Sequence, residues 1–468
     1  MPELEGLLRR CESLSRDVLK LVSDGRKVVV VTHIDADGLT SGSIVFATLA
    51  RSGANVLIRC VPDLEPKLIK ELASQKYDFY VFTDLASTLL AELELAFDGR
   101  FLVIDHHQLT EQDMQKPMVV NAWMYGYDGG REACSASMSY LFARSASSSN
   151  RDLSPLAVVG AVADRQDVGP NRSLTGLNKI CLEDAQNAGL VTASKDLLFT
   201  GRETRPIHEA VALTSTPYLP GLTGSKDLVL SALHQAGLRL KDGGSWRTIS
   251  TLDGEEKGKL TEVIAASLGA SGGGTDAMAS LVGEVYTLEI EDAFTPLRDA
   301  REFATLLNAC GRMGVTGIGV SVCLGERSEA LGSAMKSLAE YRLSLNRAIQ
   351  GLVDNPSRME RHGNLVLVGA GGLVDEKILG PVASILTSSP GYRDKVVVAL
   401  ANSGDSELKV SSRVGDAFVG SVNLGLLMKE AAEGVGGVGG GHTMAAGAKI
   451  PSSGADSFRR LVTERVGS

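Results

Sequence analysis

Lys27-Val28-Val29-Val30-Val31-Thr32-His33-Ile34-Asp35-Ala36-Asp37-Gly38 runs four valines straight into a histidine and two aspartates. Four β-branched residues in a row read as a strand buried on both faces, the habit of parallel sheets. Residues 39–52 then take up helical spacing directly behind Gly38. Outward from there the pattern repeats: strand over 55–60, helix over 65–74, strand over 79–83 ending at Asp84, strand over 101–104 ending at Asp105-His106-His107. Upstream, residues 2–23 alternate apolar and charged positions as an amphipathic helix. Downstream, helices are expected over 135–147 and 156–165, with small faces for close packing and Asp164 near the end of the second. Strands alternating with helices predict an α/β domain, a parallel sheet covered on both faces.

In such sheets the working residues gather at the carboxyl ends of the strands. Three strands that each end in ligand-type side chains therefore predict one shared site: Asp35, Asp37, Asp84, His106 and Asp164, with His33, Asp105 and His107 close by. An aspartate at a strand end is ordinary turn chemistry when it stands alone. A whole set of acids in one buried place needs a counter-charge, and a divalent cation supplies it. The number of acids suits two ions sharing a carboxylate, the arrangement used for phosphoryl transfer.

The 468-residue chain carries a net charge of −9, with 44% hydrophobic and 5% aromatic residues, so a generally basic nucleic-acid coat is excluded. Its length suits two or three domains. Cys11, Cys60, Cys134, Cys181, Cys310 and Cys323 are scattered with no C-x-x-C pair, which argues against a zinc ribbon or a disulfide scaffold. Residues 1–8 hold two acids and no basic segment, unlike a secretory signal, and no apolar stretch approaches a membrane span. A cytoplasmic protein with no membrane association is expected.

Residues 1–173 are read as the catalytic domain, 174–331 as a mainly helical middle insertion, and 332–468 as a connector helix with a second α/β domain. The middle is weakly periodic and broken by turn signals at Pro217-Tyr218-Leu219-Pro220-Gly221 and Gly272-Gly273-Gly274. Its basic residues, at 202–205 and 241–247, read as solvated surface. In the last domain, strands are expected over 365–369, 396–400, 408–412 and after Ala445, and helices over 378–387 and 424–433. The glycine run 435–441 leads to His442. Glycines there would turn successive amides toward an anion, with Ser411, Arg413 and His442 as further donors to a phosphate. Metals on one domain and phosphate donors on another predict a cleft. Trp123, Tyr125 and Tyr127 follow the Asp-His-His triplet closely enough to approach a substrate, although core packing suits Trp123 better.

The His33–Gly38 stretch, Asp84, Asp105-His106-His107 and Asp164 resemble the four motifs of the DHH phosphoesterase superfamily. Gly440-Gly441-His442 with Ser411 and Arg413 resembles its DHHA1 domain. Pro217-Tyr218-Leu219-Pro220-Gly221-Leu222-Thr223-Gly224, Trp246-Arg247-Thr248 and Leu307-Asn308-Ala309-Cys310-Gly311-Arg312-Met313-Gly314 resemble the archaeal RecJ-like nucleases that associate with the GINS replication complex. The resemblance implies two divalent metal ions, manganese or magnesium; the histidines in the donor set favour manganese. It implies that His33, Asp35 and Asp84 hold one ion, and that Asp37, Asp84, His106 and Asp164 hold the other. It places His107 beside the scissile phosphate, gives Asp105 an orienting role, and assigns Ser411, Arg413, Gly440, Gly441 and His442 to a phosphate of the strand.

The function so implied is a two-metal exonuclease of single-stranded DNA or RNA, linked to replication or repair, with GINS subunits as partners. The alternatives are a phosphodiesterase of short oligonucleotides or small molecules, and a replisome scaffold with vestigial nuclease activity. None of these motifs distinguishes DNA from RNA, fixes the direction of digestion, or gives Arg312 a role. Removal of 174–331 is expected to cost partner binding more than metal binding.

Overall fold

The computed structural model describes residues 2–214, 217–269, 274–404 and 406–467. The chain divides into two compact units, Met1–Ala212 with Lys226–Leu338, and Leu213–Ser225 with Ala339–Ser468.

The first unit is built on five parallel strands, β1 (Lys27–His33), β2 (Asn55–Val61), β3 (Phe79–Thr83), β4 (Phe101–Asp105) and β5 (Val119–Asn121), in the order β2-β1-β3-β4-β5. Val28, Val29, Val30 and Val31 are buried on both faces, as the valine run requires. The chain passes from β1 out to β2 and returns to the other side of β1 at β3. The strand order therefore reverses at β1, which opens a crevice at the carboxyl ends of β1 and β3. Helices α1 (Leu4–Ser23), α2 (Ala36–Arg51), α3 (Pro66–Ser74), α4 (Leu90–Phe97), α5 (Ser135–Ala146), α6 (Ser154–Ala163) and α7 (Gly176–Asn187) accompany the sheet. α3 and α4 close a core of Ile69, Leu72, Leu90, Leu93 and Phe97 against Val29, Val31, Tyr80, Phe82 and Val103 on one face.

α2 begins three residues earlier than the sequence predicts. Asp35 is its N-cap, its side chain accepting from the Gly38 amide, so Asp37 and Gly38 belong to the first turn of the helix.

The middle of the chain is mainly helical, as expected, and most of it packs in the first unit. β6 (Val191–Leu197) pairs antiparallel with β9 (Val282–Leu288). Between them come α8 (Ile207–Ala212), α9 (Lys226–Gln235), the small hairpin β7 (Lys241–Asp242) with β8 (Ser245–Trp246), α10 (Gly254–Gly269) and α11 (Gly274–Ser280). Then follow α12 (Ala300–Arg312), α13 (Thr316–Cys323) and the long α14 (Glu329–Asp354). The turn signal at Gly272-Gly273 lies outside the described residues. Two of the expected surface cations are buried: Arg202 pairs with Asp196 at 2.6 Å, and Arg247 makes a two-pronged bond to Glu256.

The second unit holds a six-stranded mixed sheet, β10 (Met359–His362), β11 (Leu365–Gly371), β12 (Val396–Ser403), β13 (Glu407–Val414), β14 (Val438–Gly441) and β15 (Ala445–Pro451), in the order β10-β11-β12-β13-β15-β14. α15 (Leu379–Ser388) covers one face through Leu379, Val382, Ala383 and Leu386. α16 (Leu424–Glu433) and α17 (Ala455–Val466) cover the other through Leu424, Met428, Phe458 and Val462. The glycine run is an edge strand, not a turned loop of amides. Gly439 is required by packing: a Cβ there would lie 2.2 Å from the Met428 carbonyl oxygen of α16.

Candidate metal centre

The carboxyl ends of β1, β3 and β4 and the C-cap of α6 bring the eight predicted residues together. Ligand-type atoms fall into three groups, each within 4.8 Å: His33, Asp35 and Asp84; Asp37, His106 and Asp164; and Asp84, Asp105, His106 and His107. Asp84 joins the first group to the third, and His106 joins the third to the second. Asp84 follows β3 with φ of 59°, a left-handed backbone that aspartate tolerates better than most residues. Its Oδ2 lies 3.5 Å from His33 Nδ1, and its Oδ1 lies 3.4 Å from His106 Nε2. The Ser135 hydroxyl donates to the same Oδ1 at 3.0 Å.

His33 Nδ1 also stands 2.9 Å from Asp35 Oδ2. Burial disfavours a charge on the ring, but Asp35 and Asp84 outweigh it and hold its pKa well above the usual range. The pair of carboxylates around one nitrogen is cation-binding geometry. Asp37 is buried, and it accepts from the Ser135 and Ala136 amides at 2.8 and 2.9 Å, the first free N–H groups of α5. Burial and the negative charge of Asp84 still push its carboxyl pKa up.

His106 has a fixed tautomer. Its Nδ1 is 2.6 Å from the Gly129 carbonyl, which only accepts, so Nδ1 carries the proton and Nε2 faces Asp84 and Asp37. Gln166 donates to Gly129 O and to Asp164 Oδ2 at 2.8 and 2.7 Å, and Asn178 in turn donates to Gln166. The Trp123 indole N–H donates to the His106 carbonyl at 2.9 Å, so this ring buttresses the turn, and Tyr127 is buried.

Asp105 differs from the others. It is fully buried, and its oxygens accept from the amides of Ser87, His106 and His107 and from His107 Nδ1. Burial opposes its charge, yet the two histidines hold its pKa below the carboxylate range. In the opposite direction Asp105 lifts His107 to about 9. His107 keeps Nε2 available beyond this bond. The donor set, carboxylate oxygens with a minority of imidazole nitrogens, fits manganese or magnesium.

Ser135, Gln166, Asn178, Asn121 and Ser87 support this cluster but carried no motif. In the sequence Ser135 is one small residue on a helix face. In the second unit, Ser411 and Arg413 lie two apart on β13, and Ser411 shares a row with Gly447 and Gly440 across β15 and β14. Arg413 Nε donates to Ser384 Oγ of α15. His442 is exposed beside the end of β14, its amide donating to Ala445.

Residues 27–163 match the DHH family N-terminal domain, 198–282 the DHH-CID domain, and 363–468 the DHHA1 domain. The chain thus carries a DHH domain, a DHH-CID domain and a DHHA1 domain in that order. An uncharacterized protein of Methanocaldococcus jannaschii is 28% identical over 98% of both chains. Among solved structures, RecJ from Thermus thermophilus in complex with Mn2+ is similar over 97% of this chain, with TM-score 0.58 and 17% identity. The DHH/DHHA1 chain described here spans about half the length of that RecJ, 54%. Cdc45 from Entamoeba histolytica is similar over 98% of both chains, with TM-score 0.65 and 10% identity. At these identities the likeness is one of fold. Among the described residues no helix is long and apolar enough to cross a membrane.

Proposed function

We propose that this DHH/DHHA1 protein is a metal-dependent exonuclease that hydrolyses phosphodiester bonds of single-stranded DNA or RNA and serves replication or repair in the cytoplasm. The observation that carries this reading is the convergence of His33, Asp35, Asp37, His106 and Asp164 around one shared carboxylate, Asp84. RecJ structures of the same fold were solved with Mn2+ and with Mg2+, which supports a divalent ion of this kind here; we read the number as two from the shared carboxylate, and manganese over magnesium from the histidines in the donor set. His33, Asp35 and Asp84 hold the first; Asp37, Asp84, His106 and Asp164 hold the second. Bound there, the paired ions lower the pKa of water and neutralise charge on the phosphate oxygens.

The residues around them do the remaining work. Asp105 sets the turn that presents His106 and His107. The Asp105 carboxylate favours the charged form of His107, which suits the ring to donate to negative charge that grows on the phosphate. Ser411, Arg413, Gly440, Gly441 and His442 bind a phosphate group of the strand. GINS subunits are the partners proposed for the middle region.

The test is a manganese time course on strands labelled at either end. Progressive shortening is expected, with Asp84→Ala lowering the rate at least a thousandfold, roughly 4 kcal/mol of barrier. Efficient cleavage of dinucleotides with intact 20-mers would replace this reading with a small-substrate phosphodiesterase. The fold likeness to Cdc45 supports a second reading, a replisome scaffold. Tight GINS binding with no cleavage of any strand would establish that one instead.

A further inference from the structure

α12 reaches the metal-ligand cluster from a part of the chain that supplies no ligand. The backbone N–H of Ala36, between Asp35 and Asp37, donates to Asn308 Oδ1 at 3.0 Å. One turn later α12 presses on the same loop: a Cβ on Gly311 would lie 1.9 Å from the Ile34 carbonyl oxygen. At the other end of the helix, Arg301 donates to Asp167 Oδ2 at 2.7 Å, next to the Gln166 that holds Asp164. Between these points Glu302 accepts from the Glu203 amide and the Thr204 hydroxyl. One helix thus grips the loops bearing both groups of ligands and the start of the DHH-CID segment.

We propose that α12 is a positioning element for the metal centre and that Asn308 sets the His33–Asp37 loop. Ala36 opens α2, so its N–H has no partner inside the helix. The residue is fully buried, and water does not reach it. Asp35 already gives Oδ1 to the Gly38 amide and turns Oδ2 toward His33. Without Asn308 the Ala36 amide is a buried donor with no partner, and the loop that carries Asp35 and Asp37 loses the bond that fixes it. Loss of a partner that orients a ligand typically weakens metal binding 10- to 100-fold. Removal of 174–331, expected to cost partner binding more than metal binding, also takes away α12, and on this proposal it weakens metal binding as well.

The inference rests on the two-metal reading, so Mn2+ is first counted on the full-length wild-type protein by calorimetry and electron paramagnetic resonance. Absence of binding there ends both ideas. Asn308→Leu keeps the volume and removes the acceptor; Asn308→Asp keeps an acceptor oxygen. The expected result is one Mn2+ bound 10- to 100-fold more weakly by the folded leucine variant, and affinity within a few-fold of wild type in the aspartate variant. If the leucine variant does not fold, Asn308→Ser, too short to reach Ala36, is read the same way. Wild-type affinity in a variant lacking the acceptor overturns the proposal while leaving the two-metal reading standing. Equal loss in the aspartate variant also overturns it, since the acceptor would then not be what matters.

Discussion

Asp105 spends its charge on its neighbours rather than on the crevice. Three backbone amides and one imidazole converge on it in a place closed to solvent. Asp105→Ala leaves those amides without partners, and each stranded donor costs about 1–3 kcal/mol. A loss of at least about 3 kcal/mol is expected in urea unfolding of the metal-free protein. An unchanged midpoint would show that the turn is held by something else. At this scale the ligands were legible because acids and histidines at strand ends are conspicuous. Their supports were not. Ser135, Gln166 and Asn178 look like any polar residues in a sequence, and only the fold shows which buried acceptor each one meets.

Between residues and the whole fold, Arg247 is the clearest case of an element holding others in place. From the strand end at β8 it donates to Glu256 of α10 and to the carbonyls of Arg239 and Thr251. Arg247 is buried and Glu256 half-buried, so Arg247→Ala, which also frees two carbonyls, is expected to cost about 1–3 kcal/mol. The arginine bond holds Glu256 at about 2, below its ordinary 4.5. A depressed acid contributes stability above its unfolded pKa and loses it as pH falls toward the folded one. The gap between wild type and Arg247→Ala, read from urea midpoints, should therefore narrow between pH 4.5 and 2. A constant gap would mean that packing, not the ion pair, is at stake.

Elements with long periods were easily read: α16 falls on the expected residues, and the strands of the first sheet differ from expectation by a residue or so. β5 is three residues long, too short for any alternation to show. α17, which is not among the expected helices, buries Phe458, Val462 and Val466 at helical spacing. The start of α2 differs because Asp35 caps the helix while also serving the site, and Gly38, which reads as the residue before the helix, lies in its first turn.

Across the whole molecule, the cluster is expected to tie stability to divalent cations. Asp37, Asp84 and Asp105 are nearly sealed from water, and Asp164 adds a fourth negative group. Buried like charges repel, and only the folded chain gathers them into a binding site. Manganese at 100 times its Kd is expected to stabilise the protein by about 2.7 kcal/mol per site. A chelator should return the melting temperature to its lower value, and Asp84→Asn should abolish the difference. Equal melting with and without manganese would leave the acids as a structural feature alone.

The Ala36–Asn308 bond spans 272 positions. Translation delivers every cation-binding side chain of the amino-terminal half well before it delivers the amide oxygen that steadies their loop. Domains of a growing chain fold in order of emergence. A half-made polypeptide therefore carries the acids without the brace, and on the proposal above its metal site reaches full affinity only after α12 has cleared the ribosome.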